Sequence, residues 1–415
     1  MESSRTVSAI QDDPKAVLIT SLARELHRAG VSSDQLQQSI SSAADALGLQ
    51  AEILAFPTMI QIAVGPRYAQ QIVVLRMTPG KVNLRKLAGI DAVFDDLLNA
   101  RIDIDAAIDY LRHIDRRVPL TPAWLSIAGL GMVAFGVAVI LGGGINELVV
   151  AALIGVVTGC ISALAQRYAA IDRLFEVIAA FIATLIVAAY THFIAPTNLY
   201  ISIVAGVVVL LPGYSLTLAL NELANQDLIA GTARLGRVFA VLLSLGCGAL
   251  LGFAVVGPHF LDAAQIVPHP VRSTFWIAAA IIMSLGLSID LDARRRDLIW
   301  VFLACFVALG SAHIVGDLPI HQIGAFVSAF ICGLVANLGA RFLRVPQPVF
   351  LVPALHVLVP GSLSYRSVLF IFSARYGDAA SLAFNALVVG ILIVAGLLLS
   401  QLIFPSSTLR FRRTA

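Results

Sequence analysis

The sequence predicts a polytopic α-helical membrane protein, with about ten transmembrane helices in two inverted five-span repeats and an N-terminal α+β cytoplasmic domain. Three observations carry this expectation. Hydrophobic residues make up 59% of the 415-residue chain and charged residues only 13%, too few to clothe a soluble surface. Of the 53 Asp, Glu, Lys and Arg residues, 27 fall in the first 121 positions, dividing the chain near Pro122 into a charged head and an apolar body. The body then carries ten apolar segments that reach or approach the roughly 20 residues a bilayer core requires.

The opening MESSRTVSAIQDDPK lacks the basic region, apolar stretch and cleavage site of a secretory signal, so the N-terminus is expected in the cytoplasm. Within the head, residues 1–120, helical spacing of Val17, Leu18, Leu22 and Leu26 predicts a helix stopped by Gly30. A second helix should start at Ser32 or Ser33 and run through Leu36, Ile40, Ala44 and Leu47 to Gly48. The period then changes. AEILAF, MIQIAV and QQIVVLRM are short β-rich runs split by Pro57-Thr58 and Gly65-Pro66-Arg67, the pattern of a three-stranded meander. Asn83 should cap a third helix through Leu97, and Asp103 or Asp105 should start a fourth ending near Asp115. His27 and His113 have no second ligand at metal spacing, and Asp91, Asp95 and Asp96 are expected to form a solvated helix face. With Ser32-Ser33 explained as caps and no GxSxG elbow, the head offers no hydrolase constellation. Cys160, Cys247, Cys305 and Cys332 fall singly in apolar runs without CxxC spacing, so neither disulfides nor a metal site are expected.

The apolar segments lie at about 122–141, 146–165, 174–195, 199–218, 235–256, 274–290, 298–316, 321–342, 349–371 and 380–404. Their connections alternate in charge. Arg167 and Arg173, Arg234 and Arg237, Arg294 to Arg296, Arg341 and Arg344, and Arg410, Arg412 and Arg413 fall on one side with Arg112, Arg116 and Arg117. GGGIN, THFIAPTN and GDLPIH on the other side hold no Lys or Arg, which predicts both termini in the cytoplasm. Arg272, Arg366 and Arg375 depart from the pattern, the last two near the outer end of the ninth segment.

VVVLLPGYSLTLAL around Pro212-Gly213 echoes ALHVLVPGSLSYRS around Pro360-Gly361, 148 residues later. Each half, 121–257 and 273–405, thus has five spans with Pro-Gly in its fourth, and an odd number of spans inverts the second copy. Pro removes a backbone donor and clashes with the preceding turn, so these helices should break at membrane depth, where the freed polar groups need protein, water or a solute. The candidate solute site is therefore Pro212, Gly213, Tyr214, Ser215, Thr217 and Asn221 with Asn337, Pro360, Gly361, Ser362 and Tyr365. A packing kink is the bland alternative. His356 and Glu176 are candidate proton-coupling groups, although a hydrogen-bonded core histidine and an interfacial partner for Arg173 are equally open. Glu222 flanks the same region, whereas Asp290 and Asp292 beside Arg294 to Arg296 look like interface charges.

A net charge of +3 gives no case for nucleic acid, and Lys15, Lys81 and Lys86, the chain's three lysines, supply no P-loop. A secondary transporter or a passive pore remains. The chain resembles bacterial threonine/serine exporters through LARELHRAGVSSDQLQQSISSAADALGL and VNLRKLAGIDAVFDDLLNARIDIDAAIDYLRHI in the head. LLPGYSLTLALNELANQDLIAGTARLGR and FLVPALHVLVPGSLSY carry the resemblance in the body. That resemblance implies proton-coupled export of small polar amino acids across a bacterial plasma membrane, with no enzymatic activity and no cofactor. Relatives with split units imply dicarboxylates such as succinate as an alternative, and a non-transporting regulatory protein also stays open. Partners are then the solute, protons and lipid, with room for a homo-oligomer.

Overall fold

The computed structural model describes residues 13–66, 68–78, 80–114, 121–257, 267–271, 275–316, 321–343, 345–358, 361–372 and 374–405. The head opens with α1 (Pro14–Arg28) and α2 (Ser33–Ala46). Asp13 starts α1 by accepting the Lys15 amide at 2.9 Å, ahead of a proline whose missing N–H is no loss in a first turn. Gly30 ends that stretch at φ 83°, packed so closely that a Cβ would lie 2.8 Å from the Val82 Cα. Strands β1 (Ala51–Phe56), β2 (Met59–Val64) and β3 (Gln71–Arg76) pair antiparallel in the order β1-β2-β3, with Ala51 opposite Val64 and Met59 opposite Arg76. Helices α3 (Leu84–Leu98) and α4 (Ile104–Ile114) follow, and Asn83 caps α3 by accepting the Lys86 amide.

Leu22 and Leu26 of α1, Ile40 of α2, Ile60 and Ile62 of β2 and Ile90 of α3 are inaccessible to solvent in one core. Two polar residues depart from expectation. Asp91 is buried, because it shares the inward stripe of Leu87, Ile90 and Phe94, while Asp95 and Asp96 face Arg101 at the surface. Ser32 precedes α2 without capping it through its side chain, and its hydroxyl is buried without a hydrogen-bond partner. His27 is buried, its Nε2 donating to the Phe56 carbonyl at 3.3 Å, whereas His113 is exposed.

The body comprises α5 (Ala123–Ile140), α6 (Ile145–Ala165), the short α7 (Ala169–Arg173), α8 (Phe175–Phe193), α9 (Leu199–Gly206), α10 (Gly213–Ala224) and α11 (Leu228–Val256). It continues through α12 (Phe275–Asp290), α13 (Leu298–Gly316), α14 (His321–Phe342), α15 (Gln347–Leu358), α16 (Gly361–Phe372) and α17 (Tyr376–Ile403). Among the described residues seven stretches are long and apolar enough to cross a membrane, the α15–α16 stretch counting as one. The pair α9 and α10, bent by 59°, makes an eighth, and α12 and α13 are shorter apolar helices. Helix α11 begins well before the apolar stretch because Asp227 caps it by accepting the Ala230 amide, a signal that hydropathy does not carry.

The head docks on both halves of the body. Towards the second half, the Leu84 amide donates to the Leu291 carbonyl at 2.9 Å, Asp292 accepts from Asn83 and Arg85, and Lys81 pairs with Asp290. Towards the first half, Asp34 accepts from Asn221 and Asn225, and Gln37 donates to Asp227 at 3.0 Å. The head core runs unbroken into Met283, Leu287, Leu291 and Val352 of the body. The aspartates at 290 and 292 are thus docking groups.

Burial lowers the His27 pKa below 6.5, against the pull of the Phe56 and Pro57 carbonyls. The sign follows: stability from a neutral buried histidine is fully present above about pH 6.5 and is lost as pH falls through the depressed folded value. His27→Gln should flatten that part of the acid destabilisation of the head, measured as the pH dependence of its thermal unfolding against the wild-type chain.

Candidate functional site

The connection from α9 to α10 passes through a 3-10 turn at Val208–Leu210 and an extended Leu211 before Pro212. The Leu210 and Leu211 amides find the Val207 and Val208 carbonyls, and the Leu216 amide of α10 donates to the carbonyl of the N-cap Pro212 at 2.8 Å. In the second half α15 ends at Leu358 and α16 starts at Gly361; Pro360 lies outside the described residues. Gly361, the first residue of α16, meets Gly213, the first residue of α10. A Cβ added to Gly361 would lie 3.2 Å from the Gly213 Cα and 3.3 Å from the Leu211 Cβ.

Beside this crossing the Tyr214 ring stacks on the His356 ring at 5.0 Å between centroids and 20° between planes. His356 Nδ1 lies 2.8 Å from the Val352 carbonyl, which can only accept, so Nδ1 carries the proton in this bond and Nε2 is left as the acceptor. Thr217 is buried with its hydroxyl oxygen unpartnered, while Ser215 and Ser362 are half-buried. Tyr365 is fully buried and donates to the Leu245 carbonyl at 3.4 Å, fastening α16 to α11.

Other expected site residues are drawn elsewhere. Asn221 reaches the head through Asp34. Asn337 donates to the Ser400 carbonyl and accepts from Gln347, tying α14 to α17 and α15. Glu176 stands in the first turn of α8 with no hydrogen bond or ion pair among the described residues, and Arg173 does not reach it. No group of three His, Cys, Asp or Glu side chains gathers as a metal site would require among the described residues.

Sequence spacing left one residue in the background that the tertiary structure makes central. Glu222, wholly inaccessible at the end of α10, takes Arg234 of α11 in a two-pronged pair at 2.7 and 2.9 Å. Its Oε1 also accepts the Ser33 amide of the head at 3.1 Å, so one carboxylate joins α10, α11 and the head. An acid closing one apolar helix and an arginine early in the next were a signal for this pair. Nearby, burial holds the Asp227 carboxyl above its usual range, aided by the Glu222 and Asp34 charges and opposed by the Ala230 amide.

Removing one partner of a buried pair strands the other charge, at a cost of about 3–5 kcal/mol. Glu222→Ala should therefore lower the melting temperature of the purified chain by several degrees and expose the head to protease. Lys81→Ala, at a partly exposed pair worth about 1 kcal/mol or less, should change either little.

A family model described as threonine/serine exporter matches residues 17–256, and a second of the same description matches 276–403. The chain is 24% identical over 352 residues to pheromone-regulated membrane protein 10 of Eremothecium gossypii, covering 82% of this chain and 47% of that protein. It is 24% identical over 312 residues to the protein of that name in Saccharomyces cerevisiae strain S288c, covering 72% and 80%. With the Candida albicans protein of that name the match is 23% over 371 residues, 85% of this chain and 33% of the relative. The chain thus spans half or less of the length of several curated relatives. No solved structure matches it.

Proposed function

We propose, from the premise that this chain belongs to the threonine/serine exporter family, that it is a secondary active exporter of small polar amino acids, threonine and serine, driven by the proton gradient. It acts in a plasma membrane, bacterial by the resemblance of its motifs, with head and both termini in the cytoplasm. The observation that carries the proposal is the meeting of two helix starts at Gly213 and Gly361, the first of them after a 59° bend. A zwitterion needs donors for its carboxylate and acceptors for its ammonium. Half-helix N-termini present amides with partial positive charge and C-terminal ends present carbonyls, so a pair of breaks offers both without a buried ion. In this scheme Pro212, Gly213, Tyr214, Ser215 and Thr217 lie beside Gly361 and Ser362 around the solute, with Tyr365 holding α16 to α11. His356 carries the coupled proton, with Glu176 as the other titratable candidate. Asn221 and Asn337 support the helices that bear the breaks.

The inverted five-span arrangement belongs to the same proposal. Supporting it, α10 runs from its break towards the head, where Asn221 meets Asp34. By contrast, α16 runs from its break to Arg375, which shares a pocket with Leu141 at the end of α5 farthest from the head.

Proteoliposomes loaded with labelled threonine or serine should release them when a pH gradient is imposed. Gly361→Leu should abolish that flux at matched insertion, because its side chain would enter space held by Gly213 and Leu211. Flux of succinate alone would move the assignment to dicarboxylates, and no flux of any small polar solute would remove it. His356→Gln should weaken the pH dependence of transport. With the four native cysteines replaced, Asn146→Cys should react with an impermeant thiol reagent from outside and Arg295→Cys should not; the reverse pattern would overturn the proposed orientation.

A further inference from the structure

On the face of the body away from the head, the ends of α5 and α9 and the helices α16 and α17 enclose a pocket of about 580 Å³, open on one side. It sits between the two halves, and its size falls in the roughly 300–1,000 Å³ range of small-molecule sites. Arg366 and Arg375, two of the three arginines that depart from the positive-inside pattern, both line it. We infer that this pocket is an outer vestibule in which Arg366 binds the α-carboxylate of an amino acid. The identity of the solute rests on the export assignment above.

The two guanidiniums are not equivalent. Arg375 is paired with Asp378, its Nη2 2.6 Å and its Nε 2.8 Å from the same carboxylate oxygen, and it lies over the Phe370 ring at 4.5 Å. Arg366 has no ion pair or hydrogen bond among the described residues, only a more distant approach to the same ring, and its Nε is buried without a partner. A planar cation left unpaired at a pocket wall is an expensive group unless an anion or water completes it, and its fork geometry suits a carboxylate. Arg366 lies five residues past Gly361 on α16, so about 7–8 Å of helix separates it from the crossing of the breaks. A solute leaving the crossing on this side would meet it first.

The charge balance selects the solute. One guanidinium is unpaired and the other is already neutralised by Asp378, so the pocket has room for one net negative charge. A single carboxylate satisfies Arg366, and Asp378 has a second oxygen outside its pair with Arg375 that can accept from an ammonium group. A dicarboxylate would bring its second negative end against Asp378. The class that fits is a zwitterionic amino acid with a small side chain.

The test is equilibrium binding of labelled L-threonine and L-serine to the purified full chain in lipid nanodiscs, with succinate and an amino alcohol lacking the carboxylate as competitors. Arg366→Gln should weaken threonine binding roughly tenfold or more, the loss expected when a two-pronged charged pair is removed, and Arg366→Lys should restore part of it. Neither competitor should displace threonine efficiently. Because an arginine variant can perturb folding, a second measurement keeps Arg366 intact. Ser381→Cys, at the pocket rim, should be labelled by an impermeant thiol reagent from outside sealed vesicles and protected by threonine. Unchanged affinity in Arg366→Gln, absence of protection, or succinate binding tighter than threonine would overturn the vestibule. Gradient-driven threonine flux by the same variant in proteoliposomes would then show that the export assignment stands without it.

Discussion

The close approach of Gly361 to Gly213 is the contact on which the rest of the body depends. The interruption between α9 and α10 leaves amides and carbonyls that lipid could not satisfy, so it must face protein or a watered cavity. It meets the start of α16, where a Cβ at Gly361 would crowd Gly213 and Leu211 at 3.2 and 3.3 Å, a crowding that glycine avoids. From that point α9 and α16 diverge to one face and α10 and α15 to the other. Tyr214 meets His356 on the side towards the head, and Tyr365 is drawn into the packing of α11.

The head is fastened to the same machinery by two kinds of contact. At the α10–α11 turn, Glu222 holds Arg234 and the Ser33 amide with no access to water. At the end of α12, Asp292 meets Arg85 with both side chains largely buried, and Asp290 meets the exposed Lys81. A buried charge pair is costly to break, so Glu222–Arg234 and Arg85–Asp292 both hold the head in place, while the exposed Lys81 adds little. A head that touches both halves is thus placed to respond to, or resist, their relative motion.

Helix and strand positions in the head were legible because they depend on local signals: the spacing of Leu18, Leu22 and Leu26, the turn at Gly65-Pro66, the cap at Asn83. The apolar segments of the body were legible for a related reason, since residence in lipid is a property of composition over some 20 residues. Pro212-Gly213 also announced its break, because proline acts on its own helix.

What the sequence by itself determined, then, was every feature fixed by neighbours within a turn or two: the charged head, the apolar helices, their interruptions and the family to which their order points. Only the tertiary structure decided which distant groups share a site. Glu222 finds Arg234 and Ser33, Asp292 finds Arg85, Tyr214 finds His356, and Asn337 is taken by Gln347 and Ser400. Sequence spacing could not say so, because burial makes a polar group seek whichever partner the packing of apolar faces brings within reach, and that packing is set by the whole chain. Arg366, one misplaced charge in the sequence, became the unpaired wall of a pocket only when α16 was laid against α9.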